Sequence, residues 1–445
     1  MFKKRNPGKL RIPHRKNTAG MTPERMPSPS EVLLQTGQHI GAPAMPIVKV
    51  GDTVKVGQLI AEAQGPVSSP IHASVSGTVK KIEDYQRAKG NTVPAIRIES
   101  DGLMTPYEGL TPPKITDVDS LVAAFRESGI IGMGGAGFPT AVKLNALKNG
   151  NIHTVILNGA ECEPYITCDT RTMIDDAQYI YEGIKLIESV APSVERYVIG
   201  IESNKPECIR VLGEITKDDA KVSILTLPSL YPQGAEKVLT YNATGIVIPE
   251  NKLPGDLGVI VINVTTLATF AKYAETGMPL VERCVTLDGG AIKEPKNVLA
   301  PIGTIISDII EFAGGLSQTH CKVLMGGPMT GTAVLSLTEP IVKTTNAIIA
   351  MTEKDTVIKK TTACLHCGRC TEACPLSLSP EEFGCSLKVE NIDERMERLK
   401  KARITLCMEC GCCSYVCPAA RPLMENLRLA KNTFKEYAAH KASLK

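Results

Sequence analysis

The chain has 445 residues, of which 43% are hydrophobic and 22% are charged, and its net charge is +3 at pH 7. This composition is typical of a soluble globular protein, and the length predicts about three domains. The small net charge argues against nucleic-acid binding, which depends on clustered basic residues, and no apolar run approaches the ~18 residues of a membrane-spanning helix.

Residues 1–30 are predicted to form a basic N-terminal arm. They are rich in proline, and no acidic residue precedes Glu24. No apolar run follows the first basic residues, so a signal peptide is not predicted. The arm either is solvated or docks onto an acidic partner or anionic lipids, and we favour docking. Its basic residues are Lys3, Lys4, Arg5, Lys9, Arg11, Arg15 and Lys16.

Residues 31–100 are predicted to form a small β-domain. Apolar residues alternate through Ile47–Ile60, and a second alternating half follows in Ile71–Ile82. This two-part pattern resembles the biotinyl/lipoyl barrel-sandwich fold. Swinging-arm members of that fold carry a lysine on the hairpin between the halves, whereas the hairpin Gln64–Pro70 contains none. We therefore expect a structural module without a prosthetic group.

A glycine-rich loop follows the helical pattern of Asp117–Ser128. It reads Gly-Met-Gly-Gly-Ala-Gly-Phe-Pro over residues 132–139. A Rossmann site is not predicted, because a helix and not a strand precedes the loop. Its backbone N–H groups can still approach an anion closely, Pro139 suits the first turn of a following helix, and Lys143 adds a positive charge. The alternative is a flexible loop without a ligand.

A short buried strand at Val155–Leu157 ends in Asn158, Glu161 and Glu163. Ligands of open α/β sheets bind beyond the carboxyl ends of strands, although a capped turn would look similar. The residues that follow alternate between predicted helices and strands, which indicates a largely parallel α/β sheet within residues 117–282. The helices are predicted at Asp175–Ser189 and Lys205–Thr216, and the strands at Tyr197–Gly200 and Val222–Leu227.

The glycine loop and this strand end resemble the FMN- and NADH-binding flavoprotein of respiratory complex I. The match is Gly-x-Gly-Gly-Ala-Gly-Phe-Pro-Thr followed by Asn-x-x-Glu-x-Glu-Pro. That family has Arg at the position of Met133 and Asp at that of Ala160. The resemblance implies that Glu161 and Glu163 orient the nicotinamide and the flavin. It implies binding of FMN and NAD(H) by Gly132, Gly134, Gly135, Phe138, Lys143, Asn158 and Glu161.

Two later segments extend this resemblance. Tyr231–Lys237 is similar to a glycine–glutamate loop of that family and retains Gly234 and Glu236. Val261–Thr266 is similar to a second segment and retains its Asn and Thr. The resemblance therefore adds Gly234, Glu236, Asn263 and Thr266 to the cofactor site. Residues 283–345 resemble the β-grasp (soluble-ligand-binding) module that follows the flavin domain in complex I, and we favour a packing role for it without a ligand.

Residues 361–445 are predicted to bind two 4Fe–4S clusters, because the spacing C-x2-C-x2-C-x3-C-P occurs twice. In this arrangement the fourth cysteine of each run ligates the other cluster. One cluster is thus predicted on Cys364, Cys367, Cys370 and Cys417. The other is predicted on Cys407, Cys410, Cys413 and Cys374. Helices are expected at Pro380–Lys401 and Ala419–Lys445.

Zinc and disulfides are alternative uses of these cysteines. A zinc site needs only four ligands, which leaves the third closely spaced cysteine of each run unexplained. The chain has 15 cysteines, and those outside the two runs form no paired framework, so a reducing cytosol is expected. Cys412 is expected to be a bystander beside the metal.

The order of modules resembles RnfC, a component of the Rnf ion-translocating oxidoreductase complex, over nearly the whole chain. The resemblance implies a multidomain α/β and β protein at the cytoplasmic face of the membrane, where a ferredoxin:NAD+ oxidoreductase drives Na+ or H+ across. It implies partners that include an iron–sulfur subunit and integral membrane subunits, and no nucleic acid. Alternatives are a cobalamin-reductase-like flavoprotein, a flavin-free electron relay and a zinc-knuckle interaction protein.

Overall fold

A computed structural model describes residues 10–87, 92–357 and 359–443 as four packed modules with an N-terminal segment that crosses two of them. The strands are β1 (Glu24–Arg25), β2 (Glu31–Gln35), β3 (Met45–Pro46), β4 (Thr53–Val54), β5 (Leu59–Glu62), β6 (Ile71–His72), β7 (Gly77–Gln86), β8 (Thr92–Ser100), β9 (Thr154–Gly159), β10 (Arg196–Glu202), β11 (Val222–Leu227), β12 (Val259–Asn263), β13 (Glu282–Asp288), β14 (Lys296–Pro301), β15 (Cys321–Met325), β16 (Thr332–Ala333) and β17 (Ala347–Thr352). The α-helices are α1 (Val118–Glu127), α2 (Thr140–Leu144), α3 (Cys168–Asp175), α4 (Ala177–Val190), α5 (Pro206–Thr216), α6 (Glu236–Thr244), α7 (Val264–Thr276), α8 (Ile306–Phe312), α9 (Arg369–Ala373), α10 (Pro380–Ser386), α11 (Ile392–Lys401), α12 (Cys412–Tyr415) and α13 (Leu423–Ser443).

The first module is the predicted barrel sandwich. Its antiparallel sheet has the order β2-β8-β7-β4 and packs on the smaller sheet β3-β5-β6. Alternation along the strands places Val32, Leu34, Ile96 and Ile98 in the core between the sheets. The hairpin Gln64–Pro70 joins β5 to β6.

The second module is an α/β domain built on a parallel sheet with the order β11-β10-β9-β12. Its strands are buried and rich in Val and Ile, as expected when helices cover both faces. The register pairs Asn158 at the end of β9 with Asn263 at the end of β12. The polar strand ends that the sequence singled out therefore meet at one edge of the sheet.

The helices of this domain differ from the prediction at one place that matters for the site. The single helix expected over 175–189 is two helices, α3 and α4, which meet at Asp176. Helix α3 was missed because its sequence, Cys-Asp-Thr-Arg-Thr-Met-Ile-Asp, has little apolar periodicity.

The third module is a β-grasp with a mixed six-stranded sheet of order β1-β14-β13-β17-β15-β16 and helix α8. The sheet includes β17 and so continues past residue 345, where the sequence placed its end. Its first strand, β1, comes from the N-terminal segment and pairs in parallel with β14.

The N-terminal segment is part of the fold over residues 10–30. Ile12, Thr18 and Met26 are buried, and the Lys16 ammonium group is enclosed in the α/β domain. The expectation of a solvated or docking arm is therefore wrong for these residues, because their side chains contact the chain itself. Lys3, Lys4, Arg5 and Lys9 lie outside the described residues.

The fourth module is helical and contains both cysteine runs. The helix expected over 380–401 is two helices, α10 and α11, and the long helix α13 packs on both. Phe383, Leu399 and Leu427 form its core. No helix among the described residues has the length and apolar character needed to cross a bilayer.

Candidate functional site

A cavity of about 1280 Å³ opens at the carboxyl edge of the parallel sheet. It extends from the glycine loop to Cys410 in the second cysteine run, with the β-grasp and the barrel sandwich as further walls. The structure brings every predicted flavin and nicotinamide residue to this one cavity: Gly132, Gly134, Gly135, Phe138, Lys143, Asn158, Glu161, Glu163, Gly234, Glu236, Asn263 and Thr266. Their individual roles remain predictions.

The glycine loop is closed at its base and open to the cavity at its tip. The N–H of Gly132 donates to the carbonyl of Phe138 at 2.8 Å, and the N–H of Met133 donates to Thr266 Oγ1 at 3.0 Å. No described residue accepts a hydrogen bond from the N–H groups of Gly134 and Gly135. A Cβ on Gly135 would meet nothing within 4 Å. These free donors beside an open space fit an anionic group such as a phosphate.

The helix after the loop is shorter than the predicted phosphate-binding helix. Pro139 precedes α2 as its N-cap, and α2 has only five residues, so its dipole adds little to anion binding. Lys143 Nζ is 2.7 Å from Glu236 Oε1 and donates to the carbonyl of Val261 at 2.8 Å. The positive charge of Lys143 is therefore present in the cavity but is paired with a carboxylate.

The amides at the strand ends hold neighbouring segments in place. Asn158 Nδ2 donates to the carbonyl of Gly234 at 2.9 Å. Gly234 passes so close to Ala160 that a Cβ would collide with the Ala160 carbonyl oxygen, which explains why glycine is required there. Asn263 caps α7 and donates to Asp169 Oδ2 at 2.8 Å. Asp169, at the start of α3, also lines the cavity and was missed with that helix.

The carboxylate of Glu161 is directed at the start of α3. It accepts hydrogen bonds from the Asp169 N–H and the Thr170 hydroxyl, each at 2.7 Å. Burial raises the pKa of Glu161, while the Lys16 ammonium at 3.9 Å opposes that shift. Because these partners occupy both carboxylate oxygens, Glu161 fixes the site from behind.

The carboxylate of Glu163 joins the α/β domain to the β-grasp. It accepts hydrogen bonds from the Met329 N–H at 3.0 Å and from the Thr330 hydroxyl. Burial raises the pKa of Glu163, and these two hydrogen bonds oppose the shift. Residues 325–327 and 330–334 line the cavity, so the β-grasp is a wall of the site and not only a packing module.

Lys16 holds the segment that carries both glutamates. Its ammonium group donates to the carbonyls of Glu161 at 2.7 Å, Glu163 at 2.8 Å and Ile166 at 2.6 Å. Burial lowers the pKa of Lys16, and the Glu161 carboxylate opposes this. Its spacing from residue 161 is 145 positions along the chain, so no local sequence signal could have revealed this contact.

The two cysteine runs have the same backbone conformation. Each helix that follows begins after a left-handed glycine, Gly368 with φ 75° and Gly411 with φ 76°. His366 and Glu409 occupy the left-handed region two residues earlier. The N–H groups of these two residues lie 3.4 Å from the first sulfur of their own runs. The sequence repeat is therefore a structural repeat.

The crossed arrangement predicted for the fourth cysteines matches the geometry around a small second cavity. This cavity is lined by Cys374 of the first run together with Cys407, Cys410 and Cys413 of the second. Apolar residues such as Phe383 and Leu427 complete the wall. Four thiolates around one enclosed space fit a 4Fe–4S cluster. Cys412 also lines this space and is buried.

The second cysteine run lies against the large cavity, whereas the first is near the surface. The Tyr231 hydroxyl donates to the carbonyl of Cys410 at 2.7 Å, and a Cβ on Gly411 would lie 2.6 Å from the carbonyl oxygen of Met329. Cys367 is exposed, and its neighbour Leu365 is 63% exposed. The two predicted clusters therefore have different surroundings.

Comparison with protein-family models gives matches along most of the chain. Residues 5–103 match the RnfC barrel sandwich hybrid domain, and residues 125–272 match the Nuo51 FMN-binding domain. Residues 284–333 match the SLBB domain, and residues 353–421 match a 4Fe-4S dicluster domain. These matches confirm the predicted fold class and its order of modules.

Two curated proteins illustrate the similarity. The C subunit of the proton-translocating ferredoxin:NAD(+) oxidoreductase complex of Clostridium ljungdahlii is 42% identical over 369 residues, which are 82% of this chain and 80% of that protein. The C subunit of the ion-translocating oxidoreductase complex of Rhodobacter capsulatus is 40% identical over 433 residues, or 96% and 82% of the two chains. A solved NAD+-reducing [NiFe]-hydrogenase shares the fold at 19% identity, with a TM-score of 0.52 over 71% of this chain and 63% of its own.

We predict that Lys16→Met destabilises the protein by about 3 kcal/mol, because it removes a buried cation and leaves three carbonyls without their donor. The chain should unfold at a lower urea concentration and retain less flavin. Lys114→Met, at an exposed position, is the control. Equal unfolding midpoints and flavin contents for the two variants would contradict the role assigned to Lys16.

We predict that Cys374→Ser damages the cluster bound by the second run and spares that of its own run, because Cys374 lines the cavity of the second run. EPR spectra of the anaerobically reduced protein report the two clusters separately. Cys385→Ser, at an exposed cysteine outside both runs, is the control. A spectrum in which only the cluster of Cys364, Cys367 and Cys370 is altered would show that the ligation is not crossed.

Proposed function

The chain belongs to the RnfC family of ion-translocating ferredoxin:NAD+ oxidoreductase complexes, and from this membership we propose that it is the subunit where NADH or NAD+ reacts. It is an electron-transfer subunit with FMN and two 4Fe–4S clusters. The complex to which it belongs couples electron flow to ion translocation.

One observation carries the proposal. A single cavity has the glycine loop and the strand-end amides at one end, and Met408, Glu409 and Cys410 of the second cysteine run at the other. A nucleotide and a cluster held at these two ends would be neighbours without an intervening layer of protein. A ferredoxin without a flavin partner would not need such a cavity.

The residues of this cavity would bind and orient the flavin, which exchanges a hydride with a nicotinamide and single electrons with clusters. The free N–H groups of Gly134 and Gly135 would donate to its phosphate, and Phe138 would pack against the bound nucleotide. Asn158 and Asn263 hold the edges of the site at the ends of β9 and β12. Glu161 and Glu163 act as positioning residues, because their carboxylates already accept hydrogen bonds from α3 and the β-grasp.

The surroundings of the two runs support an order of electron transfer. The cluster on Cys407, Cys410, Cys413 and Cys374 would exchange electrons with the flavin, because Cys410 lines the cavity. The cluster on Cys364, Cys367, Cys370 and Cys417 would pass them to a partner, because its run is the exposed one. We propose an iron–sulfur subunit and integral membrane subunits as partners, and the cytoplasmic face of the membrane as the location.

Two alternatives are less well supported. The relatives described above belong to ion-translocating complexes, which favours this function over a cobalamin-reductase-like one. A flavin-free relay was suggested by Met133, where complex I flavoproteins have arginine. The Met133 side chain is buried in the core of the α/β domain, so this replacement leaves the cavity wall intact.

Anaerobic purification followed by flavin extraction, iron analysis and titration with NADH tests the proposal. We predict about eight iron atoms per chain, as expected for two four-iron clusters, together with bound FMN whose absorbance bleaches on addition of NADH. Gly135→Val should keep the iron but bind less FMN and bleach less, because the new side chain enters the open space at the loop.

Gly20→Val is the matched control, since Gly20 also has open space at its Cβ position but does not line the cavity. It should resemble the wild type in iron, flavin and bleaching. A wild-type protein with full iron that contains no FMN and does not react with NADH would contradict the proposed function.

A further inference from the structure

The barrel sandwich contributes side chains to the large cavity, although its sequence indicated a purely structural module. Gln35, Tyr85 and Arg87 line the cavity together with the glycine loop. Tyr85 lies near the end of β7, and Arg87 follows that strand directly. Since these residues lie outside the α/β domain, they form a wall that a flavin domain alone would not have.

Direct contacts connect this wall to the glycine loop. The N–H of Ile40 donates to the carbonyl of Gly137 at 3.0 Å. Gly37, three residues earlier, lies next to Arg87, since a Cβ on Gly37 would be 3.6 Å from Arg87 Nη1. The guanidinium group therefore lies beside the segment that is hydrogen-bonded to the outer part of the glycine loop, next to Phe138.

The charge of Arg87 is not neutralised by a neighbouring carboxylate. Among the described residues, the cations that line the cavity are Arg87, Lys143, Arg428 and Lys431. Lys143 pairs with Glu236, and both Arg428 and Lys431 pair with Glu409. Arg87 forms no ion pair or hydrogen bond with any described residue, although it is half-buried. Burial lowers the pKa of Arg87, but a guanidinium stays protonated at neutral pH.

A half-buried guanidinium without a counter-ion, facing a cavity, is suited to an anionic ligand. The planar guanidinium group can donate two parallel hydrogen bonds to phosphate oxygens. The cavity of about 1280 Å³ is also larger than most small-molecule sites, which occupy about 300–1,000 Å³. It therefore has room for a dinucleotide in addition to the flavin.

We propose that Arg87 binds the pyrophosphate of NAD(H), and that Tyr85 packs beside the ADP half of the same molecule. This inference rests on the proposed function and adds the barrel sandwich to the substrate site. The flavin phosphate is the less suitable partner for Arg87, because the free N–H groups of Gly134 and Gly135 already offer a site for it within the α/β domain.

Arg87→Gln tests the proposal with ADP-ribose, which contains the pyrophosphate but no nicotinamide. Calorimetry on the full-length protein should show about tenfold weaker ADP-ribose binding, the loss expected when a charged hydrogen-bond donor is removed. The KM for NADH should rise by a similar factor, whereas kcat and the FMN content should stay unchanged. Arg87→Lys should restore part of the affinity, because it retains the charge but not the two-pronged geometry.

Arg97→Gln is the matched control, because Arg97 belongs to the same module but pairs with Glu31 and Glu83 and does not line the cavity. ADP-ribose binding that is unchanged in Arg87→Gln would overturn the inference. Loss of FMN with unchanged ADP-ribose binding would also overturn it, by assigning Arg87 to the flavin phosphate. ADP-ribose binding that depends on Arg87 in a protein that NADH does not reduce would support the inference and contradict the proposed function alone.

Discussion

The site depends on the ammonium group of Lys16, which holds the turn after β9 by hydrogen bonds to the carbonyls of Glu161, Glu163 and Ile166. With the backbone of this turn fixed, its two carboxylates point in different directions. Glu161 reaches the start of α3, and Glu163 reaches the β-grasp at Met329. A buried cation is costly unless it is well coordinated, so this arrangement commits the N-terminal segment to the α/β domain. The turn can then serve as the common support of three modules.

The same support explains how the cavity reaches the cluster module. Glu163 holds the loop that contains Met329, and the carbonyl of Met329 is in close contact with Gly411 of the second cysteine run. On the other side, the Tyr231 hydroxyl donates to the carbonyl of Cys410. Two contacts from different modules thus fix the second run at the edge of the cavity. Electron transfer between a flavin and a cluster requires such fixed proximity, because neither group can move to meet the other.

The sequence allowed the cysteine ligand sets, the glycine loop and the strand-end amides to be predicted, because each depends on local spacing or on the end of a single strand. Contacts between distant segments could not be predicted in this way. Lys16 was assigned to a docking arm, and β1 joins a sheet whose other strands begin at residue 282. Helix α3 lacks the apolar periodicity that would have revealed it. Arg87 carries no motif, and only the packing of the barrel sandwich on the glycine loop brings it to the cavity.

The central claim is that electrons pass from the nucleotide cavity to the cluster of the second run before they reach the cluster of the first. Rapid mixing of Cys410→Ala protein with NADH, followed by freezing and EPR spectroscopy, tests this order most directly. The account predicts that the flavin is reduced while the cluster of Cys364, Cys367 and Cys370 stays oxidised, because the route to it is interrupted. Reduction of that cluster at the wild-type rate would contradict the account.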